Sequence, residues 1–156
     1  MSISSEIEFN NKTRTFDGFV DYGKGVVVSK DQDDTPAKDA LVFIMLVSLR
    51  GNWKYPVGYV LIDGCDAATQ HSLIRKALDL CLSYDIDVHA VTMDGTSTNF
   101  SSMRKFWCKL AGSLDSMTGK FNYPGFSHPI YFIPNRKTAM SFSGGFTFEL
   151  LIDASY

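Results

Sequence analysis

Cysteine is scarce in this chain, and the three present, Cys65, Cys81 and Cys108, are odd in number and far apart, with no C-x-x-C pair. Neither a disulfide framework nor a zinc site is suggested by that pattern, which predicts reduced thiols in or near the core. An excess of positive charge is lacking too. Fifteen Lys and Arg stand against 17 Asp and Glu, a formal net charge of -2, so no global basic field exists to hold nucleic acid phosphates. A DNA partner must then be engaged through local contacts or another domain. Long apolar runs are missing as well: the longest, Leu41 to Val47, is far too short to span a bilayer, and no basic stretch followed by an apolar one opens the chain. The expectation is a soluble, intracellular protein with no membrane partner. Internal repeats and low-complexity tracts are likewise absent.

What is there suffices for one domain with a real core: 156 residues, 45% hydrophobic and 21% charged. Thr15 to Val28 reads as a hairpin or two short strands turning through Gly23 and Gly25, and Lys30 to Lys38 as a surface loop. Leu41 to Leu49 is too continuous for a half-exposed strand and predicts a central one, buried on both faces. Arg50-Gly51-Asn52 turns the chain, so the strand from Val57 to Ile62 must pair antiparallel with it. Asp66 is a candidate N-cap for a helix whose Leu73, Ile74, Ala77, Leu78 and Cys81 share one face. The strand Val88 to Met93 follows, and then a helix from Ser97 with an apolar stripe of Phe100, Met103, Trp107, Leu110 and Ala111, closed by Gly112. Short strands are expected at Ile130 to Ile133 and Phe146 to Ile152.

The stretch Ala90-Val91-Thr92-Met93-Asp94-Gly95-Thr96-Ser97 bears most directly on chemistry. An apolar strand ends in an acid just where a helix can open, and in an α/β sheet ligands and metal ions collect where strands end and helices begin. A strand that returns after a crossover helix is normally parallel and interior, which exposes Asp94 at its carboxyl end. Asp at such a place is also a common turn former and N-cap, and that reading stands beside the chemical one. Other residues are read structurally: Asp21 and Asp63 as turn or edge acids, and Trp53 as packing over a sheet edge rather than stacking on a base. His71, His89 and His128 have no ligand spacing and are read as satisfied or exposed. Lys54, Arg75, Lys76, Arg104 and Lys105 are read as solvated cations, with phosphate contact open to Arg104 and Lys105 because they follow Asp94.

Strands, helix, strand ending in Asp, helix is the order of the RNase H-like fold. Several ordered segments narrow the likeness: Ala40 to Ile44, Arg50 to Tyr59, Leu61-Ile62-Asp63-Gly64, Val91-Thr92-Met93-Asp94-Gly95 with Asn99, and Phe126-Ser127-His128-Pro129. Together they resemble the amino-terminal part of the RNase H-like catalytic domain of P-element-type transposases, the group that includes the THAP-domain transposases. The resemblance runs from Met1 to Pro129, with residues 130–156 a divergent tail. It implies an α/β domain, a mixed central sheet with flanking helices and the RNase H-like fold incomplete, occupying residues 1–156 as one unit.

By that resemblance the parent activity is metal-dependent DNA cleavage and strand transfer. Acidic residues hold Mg²⁺, because a hard cation takes oxygen ligands and two metals stabilise the attacking and leaving oxygens. Asp94 matches the family's second catalytic Asp and is the expected metal ligand. Leu151-Ile152-Asp153 matches the opening of a later family segment, which makes Asp153 the other candidate catalytic acid, with Tyr156 where the family has His. The first catalytic Asp belongs to an Asp-Glu-Met pattern whose Met aligns with Met1, and the final catalytic Glu has no counterpart, so tight Mg²⁺ binding and DNA cleavage by this chain alone are not expected. Arg136 to Phe148 reads as an unrelated insertion. DNA and a homo-oligomer are the implied partners and the nucleus the implied location. The alternative function is a non-enzymatic binding or scaffolding module domesticated from such a transposase.

Overall fold

The computed structural model describes residues 6–28, 34–51, 53–108, 119–135 and 149–153, with the side chains of 41–46, 57 and 135 outside the description. Eight strands and two helices are described: β1 (Glu8–Asn10), β2 (Thr15–Asp17), β3 (Asp39–Ser48), β4 (Lys54–Ile62), α1 (Ala67–Ser83), β5 (Val88–Asp94), α2 (Ser97–Arg104), β6 (Gly119–Phe121), β7 (Ile130–Asn135) and β8 (Glu149–Ile152). Six strands form one mixed sheet in the order β4-β3-β8-β5-β7-β6, while β1 and β2 make a separate hairpin. The result is the mixed α/β architecture expected of an incomplete RNase H-like fold.

The β3–β4 turn forces the antiparallel pairing foreseen from its length, with Asp39 opposite Ile62 and Val47 opposite Lys54. Helix α1 starts where Asp66 caps it, its carboxylate accepting from Thr69 N at 2.8 Å. Leu73, Ile74, Ala77, Leu78 and Cys81 recur at helical spacing and are all buried. They meet Val60, Ile62, Val91, Met93, Ile130, Phe132, Leu150 and Ile152 of the sheet in one core. Helix α1 is thus the crossover that carries the chain from β4 to β5.

Strand β5 is interior, as expected, but its neighbours differ from a simple parallel return. It runs parallel to β7 and antiparallel to β8, and β8 in turn runs parallel to β3. The direction of β5 therefore matches that of β4, with two strands between them. A four-residue strand from the far end of the described chain separates β3 from β5, a pairing that no local signal foretells. Strand β3 is interior too, between β4 and β8, but the burial expected from Leu41 to Leu49 fails at its end, where Leu49 lies past the strand and is 51% exposed; the side chains of 41–46 lie outside the description.

Two other expectations need correction. Thr15 to Val28 does not fold on itself: Thr15–Asp17 pairs back with Glu8–Asn10, and Val26 to Val28 is not a strand. Phe19 and Asp21 bridge instead to Pro36 and Leu61, so the segment lies along the sheet edge. Helix α2 ends at Arg104, and Trp107, with φ 63°, turns the chain so that Phe106 enters the core while Trp107 is 91% exposed. The apolar stripe expected to continue at Trp107 stops short of it, because a left-handed residue breaks the helical period. The rest of that stripe, Leu110 to Gly112, the strand start at 146–148, the segments 30–33 and 136–148, and Tyr156 lie outside the described residues.

All three cysteines are free thiols. Burial pushes Cys81 and Cys108 up to about 11, which leaves roughly one thiolate in ten thousand at neutral pH. Cys65, half-buried and beside Asp66, is pushed up to about 12. Titration with a thiol reagent is expected to find no fast-reacting equivalent at pH 7 and three after unfolding. A Cys81–Cys108 disulfide, or two fast thiols in the native protein, would contradict these positions.

Candidate functional site at the two ends of strand β5

Asp94 is the last residue of β5 and lies in register with Asn135 of β7, at the edge where the parallel strands β5 and β7 both end. Thr96 caps α2 two residues later, its hydroxyl accepting from Asn99 N at 3.4 Å. The carboxylate is not the helix cap itself. Asp94 Oδ1 accepts from the Asn99 side-chain amide and, at 3.4 Å, from Thr96 N. The same Asn99 amide donates to the Asp94 carbonyl at 3.1 Å.

Asn99 is buried, and its own carbonyl oxygen accepts from Gln70, which α1 buries completely. Two amides from two helices thus orient one carboxylate at a strand end. Gln70 Oε1 has no hydrogen-bond partner among the described residues, so this polar network sits in the core without being fully satisfied. Removing its centre should be costly. Asn99→Ala is expected to destabilise the fold by about 1–3 kcal/mol, read from urea denaturation, because it orphans the Gln70 amide and strips Asp94 of its main donor. A change under about 0.5 kcal/mol would show the network to be incidental.

Asp153 does not join Asp94. Strand β8 runs antiparallel to β5 with Ile152 opposite Val88, so Asp153 follows at the other end of the sheet, roughly 20 Å from Asp94 along the strand. There Arg50 Nη2 donates to its Oδ2 at 3.0 Å, and Nε lies 2.9 Å from Oδ1 as an ion-pair contact. Asp21 and Asp63 behave as turn and edge acids: Asp21 accepts from Gly23 N at 2.8 Å, and Asp63 pairs with Lys38 at 2.9 Å. Trp53 rests beside Gly51, in keeping with packing at the sheet edge. Lys54 is not simply solvated, since it binds Glu149 of β8 at 2.7 Å.

A cavity of about 340 Å³ opens between α1, the turn after α2 and Asn122–Pro124. His71, Arg75, Lys105 and Trp107 line it. His71 lies 4.0 Å from the Phe106 ring, and its pKa falls below the usual value through burial first and the nearby Arg75 cation second. Lys105 is thus close to other cations on a concave face, but nothing there orients a phosphate.

The histidines depart from the sequence reading. His89 and His128 stack with ring centroids 4.5 Å apart and planes 1° from parallel, and both reach Asp87, His128 Nε2 at 2.8 Å from Oδ1 and His89 Nε2 at 3.6 Å from Oδ2. Contact of His128 Nδ1 with the Pro129 carbonyl, and then with Asp87 at its other nitrogen, raises the pKa of His128. Forty-one residues separate Asp87 from His128, and only the parallel pairing of β5 with β7 brings them together. Asp87-x-His89 at the start of a strand was the legible half of the signal. Among the described residues this is the one group of three or more His, Cys, Asp or Glu whose ligand atoms converge; no such group gathers at Asp94.

Comparison with known proteins places the chain. A family profile described as "TNP-like, RNase H N-terminal domain" matches residues 1–107. The protein named DNA transposase THAP9 from Homo sapiens is 27% identical over 127 residues, which cover 81% of this chain and 14% of that protein's length. The chain thus spans about a seventh of the curated relative that it matches. No solved structure gives a significant match.

Proposed function

Because this chain belongs to the TNP-like, RNase H N-terminal domain family, we propose that it serves as the transposase-derived RNase H-like domain of a DNA-processing protein, with Asp94 as a ligand of its divalent metal. P-element-type and THAP-type kinship, Mg²⁺ as the ion, DNA as the partner and the nucleus as the place of action all belong to this proposal. The observation that carries it is the way Asp94 is held. Asn99 and Thr96 N engage Oδ1, and Oδ2 has no partner among the described residues, so one oxygen of a fixed carboxylate is presented at the carboxyl end of an interior strand.

The fit to a metal is partial. A hard divalent ion accepts this oxygen, and in the two-metal chemistry of phosphoryl transfer it would stabilise the attacking and leaving oxygens of the phosphodiester. One carboxylate leaves most of the ion's waters in place. Asn99 fixes the carboxylate's orientation, and Gln70 fixes Asn99. Asp153, ion-paired with Arg50 at the far end of the sheet, is proposed as a structural acid, although its sequence match suggested a catalytic one.

A second reading has its own support: no three acids converge on Asp94 among the described residues, which suits a non-enzymatic binding or scaffolding module domesticated from a transposase. Paramagnetic NMR tests the first reading directly. Millimolar Mn²⁺ is expected to broaden the amide signals of Thr92 to Asn99 in the wild type and to spare them in Asp94→Asn. That variant keeps the oxygen that accepts from Asn99 and should change stability by less than about 0.5 kcal/mol. Equal broadening in both proteins, or none in either, would remove Asp94 as a metal ligand and leave the binding-module reading.

A further inference from the structure

The geometry points to a second metal site at the opposite end of β5, in which Asp87, His89 and His128 hold a first-row divalent transition metal, Zn²⁺ in the first instance. Their three ligand atoms lie within 4.8 Å of one another. Tetrahedral Zn²⁺ with bonds near 2 Å needs ligand atoms about 3.3 Å apart. The two histidines approach different oxygens of Asp87, His128 Nε2 at 2.8 Å from Oδ1 and His89 Nε2 at 3.6 Å from Oδ2, distances on either side of that value.

Three features go beyond what a surface Asp–His pair requires. Both Nε2 atoms approach the one Asp87 carboxylate instead of dividing between partners, and the stacked rings need only turn out of parallel for both lone pairs to meet on one ion. His128 Nδ1 faces the Pro129 carbonyl at 3.2 Å; with the ring N–H donated there, the lone pair of the neutral ring stands on Nε2, the orientation that metal-bound histidines commonly adopt. The pairing of β5 with β8 shifts register between Val88 and Ala90, which puts His89 at a bulge, a device that re-aims a single side chain out of the ladder. Phe126 packs against His128 at 6.2 Å and joins it to the core, so the third ligand is fixed as well.

The ligand chemistry separates this site from the one at Asp94. Two imidazoles and one carboxylate select a borderline ion such as Zn²⁺ over Mg²⁺, which takes oxygen donors. Three protein ligands leave the fourth position to water. The bound ion would tie the start of β5 to the start of β7 and brace the interior of the sheet from the end remote from Asp94.

The test uses the untagged 156-residue chain with Zn²⁺ in competition against a chromophoric chelator, and Co²⁺ as a spectroscopic stand-in. One equivalent is expected to bind, with the visible d–d bands of a four- or five-coordinate cobalt centre and without thiolate charge-transfer bands. His89→Gln and His128→Gln are each expected to weaken Zn²⁺ by at least about tenfold, while Asp94→Asn binds as the wild type does. Zn²⁺ should also raise the melting midpoint of the wild type by a few degrees and leave that of Asp87→Asn unmoved, and circular dichroism of each variant shows whether it is folded. No stoichiometric binding by the wild type, thiolate bands from cobalt, or undiminished affinity in folded His89→Gln and His128→Gln would overturn the proposal.

Discussion

The side chain of Asn99 is the joint on which the candidate site depends. It is buried, it rises from the first turn of α2, and it faces the last residue of β5 on one side and Gln70 of α1 on the other. A buried amide left without partners costs more than its bonds return when made, so two helices and a strand must keep their relative positions if this network is to survive. The orientation of Asp94 follows from that constraint. Burial of Leu73, Ile74, Leu78, Val91, Met93 and Phe132 supplies the bulk of the driving force, but it is indifferent to where a carboxylate points.

Strand β5 organises the chemistry because it is paired on both sides. Its carboxyl end opens beside the N-terminus of α2 and carries an oxygen ligand suited to a hard ion; its amino end meets the entry to β7 and carries two imidazoles and a carboxylate. The two ends lie roughly 20 Å apart, beyond direct electrostatic influence at physiological salt. They also differ in structural support. Asp94 is held by buried amides, whereas the cluster at Asp87 rests on backbone register, ring stacking and one carbonyl.

How much of this was legible in the sequence follows from how local each signal is. Helix α1 was readable to its cap, because Asp66 and the spacing of Leu73, Ala77 and Cys81 are contained within a few turns. The β3–β4 pairing was readable from a short turn, and Asp94 from an apolar run that ends in an acid before a helix. The insertion of β8 between β3 and β5 was not, since Glu149–Ile152 is an ordinary short strand of one acid and three apolar residues, whose place is set by partners more than fifty residues away. Asp153 illustrates the consequence: a local match put it with the catalytic acids, and the direction of β8 carried it to the other end of the sheet. His89 and His128 were read as separate for the same reason, and Trp107 was read as core because a helical period shows no sign of the left-handed residue that ends it.

The central claim is that Asn99 presents one oxygen of Asp94 to a divalent cation at the carboxyl end of β5. Anomalous diffraction from crystals of this chain soaked in Mn²⁺ measures it most directly. A manganese peak is expected roughly 2 Å from Asp94 Oδ2, with Oδ1 still on the Asn99 amide and most of the ion's remaining ligands waters. Manganese found elsewhere with Asp94 bare, or an Asp94 carboxylate turned away from Asn99, would contradict it.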